Sequence, residues 1–127
     1  VAAVRSETRS SGDVLIVCAG HERRMTLEDV VCAGRMARGI ARGRTSVAWG
    51  DGARSAALIE RRYLSDRDRL AREASHALSL SAGGFEADVR VCLTFDSQPL
   101  VVSYHERQLR QHDSVLASAT TTAKPRV

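Results

Sequence analysis

The sequence is poor in aromatic residues and almost free of lysine. It holds five aromatic side chains in 127 residues, and Lys124 is the single lysine among nineteen basic residues. Proteins that bind nucleic acid stack bases on aromatic rings or carry recognisable modules, and no RNA-binding or zinc-finger signature accompanies the scattered arginines. We therefore expect no nucleic-acid partner, and we interpret the net charge of +4 as solvated basic faces.

Long apolar runs are also missing, and cysteine is scarce. No stretch of about eighteen apolar residues occurs, so we expect no membrane partner. Cys18, Cys32 and Cys92 are odd in number and lack the paired spacing of a zinc site. We expect them to be reduced, packed thiols in a cytoplasmic protein. No Ser-His-Asp order and no G-x-S-x-G elbow is visible, so the sequence offers no evident covalent nucleophile.

The most informative segment runs from Val14 to Gly34 and reads VLIVCAGHERRMTLEDVVCAG. Its apolar run at residues 15–17 predicts a strand covered on both faces, which favours a parallel or mixed sheet. A short polar loop follows, and Thr26 is predicted to be the N-cap of a helix, with Asp29 at the position of a capping-box acid. The unpaired N–H groups at the start of that helix attract phosphate or carboxylate groups.

Two carboxylates, Glu28 and Asp29, fall in the first turn of this predicted helix. They would repel a phosphate monoester at close range, so a phosphate site using both needs a divalent cation between them. The helical period places Asp29 at the border of the apolar face and Glu28 on the more exposed polar face. The alternative is helix capping and dipole complementarity, worth about 0.3–1 kcal/mol for each acid, and the residues alone favour that alternative.

Four other residues are candidates for a site. Gly20, His21 and Arg23 lie in the loop before the helix, where they contact an anion or are simply solvated. His76 is either a hydrogen-bonded structural histidine or a group that transfers a proton.

Secondary structure is predicted from periodicity and breaking residues along the rest of the chain. Residues 88–95 alternate like a strand, although they also permit a helix. The other predictions are helices over 1–9, 27–43, 53–64 and 66–80, a break at Gly83-Gly84, a strand over 100–104 and a disordered tail.

Two blocks resemble the 2-phosphosulfolactate phosphatase family, enzymes of the coenzyme M pathway. The first is LEDVVCAG from Leu27 to Gly34, which follows the Ala-Gly of the loop. The second is SHALSLSAGGFEADVRVCLTFD from Ser75 to Asp96. The chain departs from the family pattern at Ala77-Leu78, where a Gly-Arg pair is usual, and at Ser103, where Pro is usual.

The resemblance implies a fold and a reaction. The fold is a three-layer αβα structure with a mixed, mostly parallel sheet, in which residues 1–110 form the C-terminal half of the phosphatase domain, residues 111–127 form the tail and residues 88–95 are helical. The reaction is magnesium-dependent hydrolysis of 2-phospho-3-sulfolactate, or a similar small phosphorylated acid, to 3-sulfolactate and phosphate. The implied roles are Mg²⁺ binding and catalysis for Asp29 and Glu28, proton transfer for His76, and substrate binding for Gly20, His21 and Arg23.

Family enzymes are longer than this chain, which opens within a helical pattern at Val1. We therefore expect a piece of a larger enzyme that is inactive alone and that self-associates as a homo-oligomer through an unpaired sheet edge. The alternative from another functional class is a noncatalytic interaction or assembly module that keeps LEDVVCAG only for packing.

Overall fold

The computed structural model describes residues 1–8, 12–98 and 100–112. Within them the chain forms six helices and one two-stranded antiparallel sheet. The elements are α1 (Ala2–Glu7), α2 (Leu27–Ala41), α3 (Asp51–Tyr63), α4 (Arg67–Glu73), α5 (Ser75–Ala82), α6 (Glu86–Cys92), β1 (Val102–His105) and β2 (Gln108–Gln111). The chain divides into two compact units, one of residues 13–95 and one of residues 1–12 with 96–127, and every candidate site residue lies in the first.

Helices α2 and α3 approach each other closely at Gly34. A Cβ atom there would lie 2.2 Å from the carbonyl oxygen of Ala56, so only glycine permits this backbone contact. Beside it, Arg38 pairs with Glu60, whose side chain is 3% exposed. Because an unpaired buried carboxylate is costly, this ion pair is what makes the burial of Glu60 tolerable. The last residue of the LEDVVCAG block therefore has a packing role.

A cluster of buried side chains joins α2 to the four helices that follow it. Its buried members are Val31, Tyr63, Leu70, Ala74, Ala77 and Val89. Ala74 is 0% exposed and Ala77 3% exposed, so the start of α5 is held firmly against the core. This anchoring fixes the position of His76, which lies between them.

Tyr63 closes the junction of α3 and α4 with a hydrogen bond. Its hydroxyl donates to Glu73 Oε2 at 2.6 Å, and Arg69 Nε donates to the other oxygen at 2.8 Å. The Tyr63 hydroxyl, and next the Arg69 guanidinium, lower the pKa of Glu73. The same hydrogen bond raises the pKa of Tyr63.

The two strands form a hairpin in the other unit. Tyr104 pairs with Leu109 across it, and both are largely exposed. Glu106 and Arg107 have φ values of 49° and 64°, the left-handed conformations of a two-residue type I′ turn. The predicted strand over residues 100–104 is thus shorter and shifted toward the turn.

The prediction of a strand at residues 15–17 is wrong in this structure. Residues 13–20 are irregular, Leu15 is 87% exposed and Val17 is 79% exposed, while Ile16 packs against Val30, Ala33 and Ala56. A strand needs a hydrogen-bonded neighbour, and no described residue forms a ladder with this segment. The described residues thus combine helix with strand, and the mostly parallel three-layer sheet is not seen among them.

The helices follow the predictions with shifted ends. Helices α1, α2 and α3 occupy the predicted regions, and the Gly83-Gly84 break follows α5. The single helix predicted over 66–80 is two helices, because Ala74 adopts an extended ψ of 117° between them. Residues 88–95 are partly helical, as α6, so the family resemblance was the better guide there.

Three further predictions concern the cysteines, the tail and the membrane. All three thiols are free, but each is exposed, so the prediction that they are packed is wrong. Cys32, for example, is exposed although its neighbours Val31 and Ala33 are buried. Of the predicted tail, Gln111 belongs to β2, and residues 113–127 lie outside the described residues. Among the described helices none is long and apolar enough to cross a membrane.

Candidate active site

The loop before α2, residues 20–24, is a tight hairpin. The His21 N–H donates to the Arg24 carbonyl at 3.0 Å, and the Arg24 N–H donates back to the His21 carbonyl at 2.9 Å. Glu22 and Arg23 between them have φ values of 50° and 60°. Both residues therefore adopt the left-handed conformation that a two-residue turn requires, which places the side chain of Arg23 at the exposed tip.

Gly20 ties this loop to the first turn of α2. Its φ is +69°, and a Cβ atom would lie 2.5 Å from the Arg24 carbonyl oxygen, so no other residue fits. Its N–H donates to Asp29 Oδ2 at 2.7 Å. A backbone N–H donated to a carboxylate is a charge-assisted bond, stronger than a neutral one. The loop is therefore fixed at both its base and its turn.

Helix α2 begins without the predicted capping box. Thr26 is the N-cap and is buried, but its side chain makes no capping hydrogen bond. Asp29 was predicted to reach back as the capping-box acid, and its Oδ2 bonds Gly20 instead. The Gly20 N–H bonds this oxygen because it would otherwise be left unpaired.

Glu28 was predicted to lie on the more exposed polar face of α2 and Asp29 at the border of the apolar face. Both residues are partly buried, and Glu28 Oε2 is a buried atom with no hydrogen-bond partner among the described residues. A buried carboxylate oxygen without a donor is unfavourable unless a cation or a proton reaches it. Glu28 thus carries the oxygen that most needs a ligand.

His76 lies against the loop, in the first turn of α5. Its ring stacks on that of His21, with centroids 4.1 Å apart and an angle of 23° between the planes. Such pairs contribute about 0.5–1.5 kcal/mol beyond the area they bury. Like Glu28 Oε2, the Nδ1 atom of His76 is buried without a hydrogen-bond partner.

The structure thus brings together Gly20 with Asp29 and His21 with His76. The sequence suggested all four residues but neither contact, since His21 and His76 are far apart in the chain and no periodicity links them. Among the described residues, Arg23 makes no hydrogen bond or ion pair that would tie it to either pair. At the family's usual Gly-Arg position, Ala77 is buried and Leu78 is about half exposed, so no cation extends from that turn.

Cys32, one turn beyond Asp29 on α2, is a poor nucleophile. Although the residue as a whole is exposed, partial desolvation of the thiol raises its pKa, and the negative charges of Asp29 and then Cys18 raise it further. A thiol is far less nucleophilic than a thiolate, so the local field works against covalent catalysis by this side chain.

The residues fit a magnesium ion only in part. Among the described residues no three His, Cys, Asp or Glu side chains are grouped so that they could hold a metal. Magnesium, however, keeps several waters and is often bound by one or two carboxylates together with the phosphate of the substrate. Glu28, with its unpartnered Oε2, and the remaining oxygen of Asp29 are the donors that such an ion would use.

Comparison with known proteins connects this site to a family. The family model for 2-phosphosulpholactate phosphatase matches residues 1–107, which include all six candidate residues. The chain is similar to a protein of Thermotoga petrophila, with 36% identity over 96 residues, and to one of Thermotoga maritima, with 34% identity over 96 residues. A protein of Pseudothermotoga lettingae shares 32% identity over 111 residues.

Each of these three relatives is named probable 2-phosphosulfolactate phosphatase. The matches cover 76% of this chain for the two Thermotoga proteins and 86% for the third. They cover 40%, 40% and 47% of the relatives themselves. The chain therefore spans less than half the length of the curated relatives that it matches.

Proposed function

The chain belongs to the 2-phosphosulpholactate phosphatase family, and from that premise we propose that the complete protein hydrolyses the phosphate ester of a small sulfonated acid. The substrate we propose is 2-phospho-3-sulfolactate, and the products are 3-sulfolactate and inorganic phosphate. The observation that carries this proposal is the family match over residues 1–107, since it includes the loop, the start of α2 and His76 together.

Glu28 and Asp29 are the residues that we propose to hold Mg²⁺. When bound there, the ion would offset negative charge on the phosphoryl oxygens. Glu28 would offer Oε2, which has no hydrogen-bond partner, while Asp29 offers the oxygen that Gly20 does not use. The bond from Gly20 also holds the Asp29 carboxylate in one orientation, which reduces the entropy lost when a ligand binds.

We propose that the loop carrying Gly20, His21 and Arg23 lies beside the phosphoryl group, with Arg23 in contact with the phosphate and His21 stacked on His76. The hairpin presents them on a rigid turn directly before the helix N-terminus, where the dipole favours anions. Arg23 can donate two parallel hydrogen bonds to phosphate oxygens. These contacts orient the ester for attack.

Hydrolysis then requires one proton transfer to the leaving group. Water attacks phosphorus, the bond between phosphorus and the ester oxygen breaks, and the departing alkoxide must gain a proton. We propose His76 for this transfer, because an imidazole exchanges protons readily near neutral pH. One proton of the attacking water replaces the proton that His76 gave up, and the other leaves with the phosphate product.

Phosphate release by the complete protein tests this function. We expect release from 2-phospho-3-sulfolactate in the presence of Mg²⁺ and little after removal of divalent ions by a chelator, with activity restored by added Mg²⁺. A simple aryl phosphate, which lacks the sulfonate and carboxylate groups, serves as the comparison substrate. Equal turnover of both substrates would argue against 2-phospho-3-sulfolactate as the specific substrate. Turnover unaffected by chelation would contradict the proposed requirement for Mg²⁺.

The noncatalytic alternative is not favoured, since the relatives compared carry the name of an enzyme. We also propose a three-layer αβα architecture for the complete domain, a homo-oligomeric state, a place in coenzyme M synthesis and a cytoplasmic location. The irregular segment at residues 14–17 supports the first of these, because it is apolar, three of its four residues are β-branched and Leu15 and Val17 are exposed.

A further inference from the structure

We propose that His21 is a positioning residue for His76. The inference rests on the proposed function, in which His76 transfers the proton to the leaving group. Its starting point is the stack of the two rings, at 4.1 Å between centroids and 23° between planes.

The His21 ring is held on a rigid support. Two backbone hydrogen bonds with Arg24 close its turn, and the preceding residue, Gly20, is bonded to Asp29 at 2.7 Å. Gly20 itself lies so close to Arg24 that an added Cβ atom would be 2.5 Å from the Arg24 carbonyl oxygen. A ring placed by such a backbone can fix the orientation of its neighbour.

The His76 ring, by contrast, has little else to orient it. Its Nδ1 atom, which usually fixes an imidazole by bonding a carbonyl or carboxylate, is buried without a hydrogen-bond partner among the described residues. Its backbone is anchored by the buried neighbours Ala74 and Ala77. The stack with His21 therefore supplies the orientation that a hydrogen bond supplies elsewhere.

This role differs from direct contact with the substrate anion in what it requires of residue 21. Positioning needs a flat ring at that place, whereas anion contact needs a donor nitrogen. The outer nitrogen of His21 lies 3.9 Å from a carboxylate oxygen of Glu22, and the side chain is 51% exposed. That carboxylate makes the outer edge of the ring a poor surface for an anion.

The test compares His21→Ala with His21→Phe in the complete protein, with 2-phospho-3-sulfolactate as substrate. We expect kcat to fall about tenfold in His21→Ala with little change in KM, because a misplaced catalytic group slows the chemical step. In His21→Phe, which keeps the ring and loses both nitrogens, we expect most of the lost kcat to return. The matched control is His105→Ala, which removes an exposed histidine on β1 of the other unit.

A spectroscopic measurement accompanies the kinetics. The carbon-bound ring protons of His76 are shifted by the stacked ring, so their NMR resonances should move in His21→Ala and stay near their original positions in His21→Phe. A rise in KM of equal size in both variants would assign His21 to anion contact and overturn the proposal. Unchanged kcat and unchanged His76 resonances in His21→Ala would overturn it as well.

Failure of the proposed function would look different. A parent protein with no phosphatase activity would contradict the proposed reaction, and with it this role for His21. The His76 resonances would still show whether the stack exists in solution. An active parent whose His21→Ala variant keeps its kcat would instead leave the phosphatase function standing and reject only the positioning role.

Discussion

At single positions, the spacing of neighbouring atoms explains why glycine and acidic residues occur where they do. Gly34 allows the backbones of α2 and α3 to touch, and Gly20 allows the loop to fold back on Arg24. Asp29 accepts the Gly20 N–H, so one carboxylate both shapes the loop and faces the candidate site. The loop geometry and the candidate site thus share Gly20 and Asp29.

Gly34→Ala should destabilise the protein by about 1–3 kcal/mol, since the new methyl group would overlap the Ala56 carbonyl and push the helices apart. Gly52→Ala is the matched control, because it lies in the first turn of α3 with no atom within 4 Å of the added methyl group. We expect this control to be neutral or to stabilise the helix by up to about 1 kcal/mol. Urea unfolding of both variants measures the difference, and equal stabilities would show that α2 and α3 do not touch as described.

Sequence reasoning identified the residues of the candidate site better than their contacts. Gly20, Asp29, His21 and His76 were each chosen from chemistry and position, yet which one touches which depends on tertiary packing. A helical wheel describes one helix alone, so it could not show that the Gly20 N–H of the preceding loop bonds Asp29.

At the scale of helices and strands, short polar links determine how the elements meet. Tyr63 and Glu73 connect α3 to α4, and Arg38 and Glu60 connect α2 to α3. The Tyr63 link is sensitive to pH, because its hydrogen bond lowers the pKa of Glu73 below the ordinary value of 4.5. Stability from this carboxylate is therefore present above that ordinary value and is lost as the pH falls through the lower, folded-state pKa.

Tyr63→Phe should weaken this acid dependence, since it removes the main cause of the lowered pKa of Glu73. We expect the variant to lose less stability than the parent between about pH 7 and about pH 3. Urea midpoints at the two pH values give the comparison. Tyr104→Phe, at an exposed tyrosine on β1, is the control and should follow the parent. An acid dependence in Tyr63→Phe identical to that of the parent would contradict the role of this hydrogen bond.

Helices were predictable because apolar residues recur at helical spacing and Gly breaks the pattern. The predicted strand at residues 15–17 did not form, because a continuous apolar run indicates only that a segment requires burial. Whether it becomes a strand depends on a neighbour that can accept and donate its hydrogen bonds. Ala74 shows a similar limit, since alanine favours helix and yet takes an extended conformation between α4 and α5.

At the scale of the whole molecule, exposed apolar side chains occur in both units. Leu15 and Val17 are exposed in one unit, and Tyr104 and Leu109 are exposed in the other. A surface of this kind is unfavourable in water unless another surface covers it. The relatives are more than twice the length of the stretch that they share with this chain, so their additional residues are candidates for that cover.

The 127-residue chain alone should therefore self-associate. Light scattering across a concentration series measures this, and we expect the mean mass to rise with concentration. Replacing Leu15 and Val17 together by Ser should reduce the rise, because it removes apolar surface from a segment with no ladder partner among the described residues. A clean monomer at high concentration would contradict the prediction.

The same chain should show little or no phosphatase activity by itself, because it spans less than half of its relatives and its described residues supply no group of three metal-binding side chains. The complete protein, assayed in parallel with 2-phospho-3-sulfolactate and Mg²⁺, is the control. Robust magnesium-dependent turnover by the 127-residue chain would show that residues corresponding to the unmatched part of the relatives are not needed for the chemistry.

Asp29→Asn in the complete protein separates the proposed metal-binding role of this residue from its structural one. The amide oxygen of Asn can still accept the Gly20 N–H, so unfolding free energy should change by less than about 1 kcal/mol. The amide lacks the charge that binds Mg²⁺, so kcat at limiting magnesium should fall roughly a hundredfold, or about 2.7 kcal/mol of barrier. Asp68→Asn, in the exposed first turn of α4, is the matched control and should keep its activity. Full activity in Asp29→Asn would contradict the metal role and leave this carboxylate as a loop anchor alone.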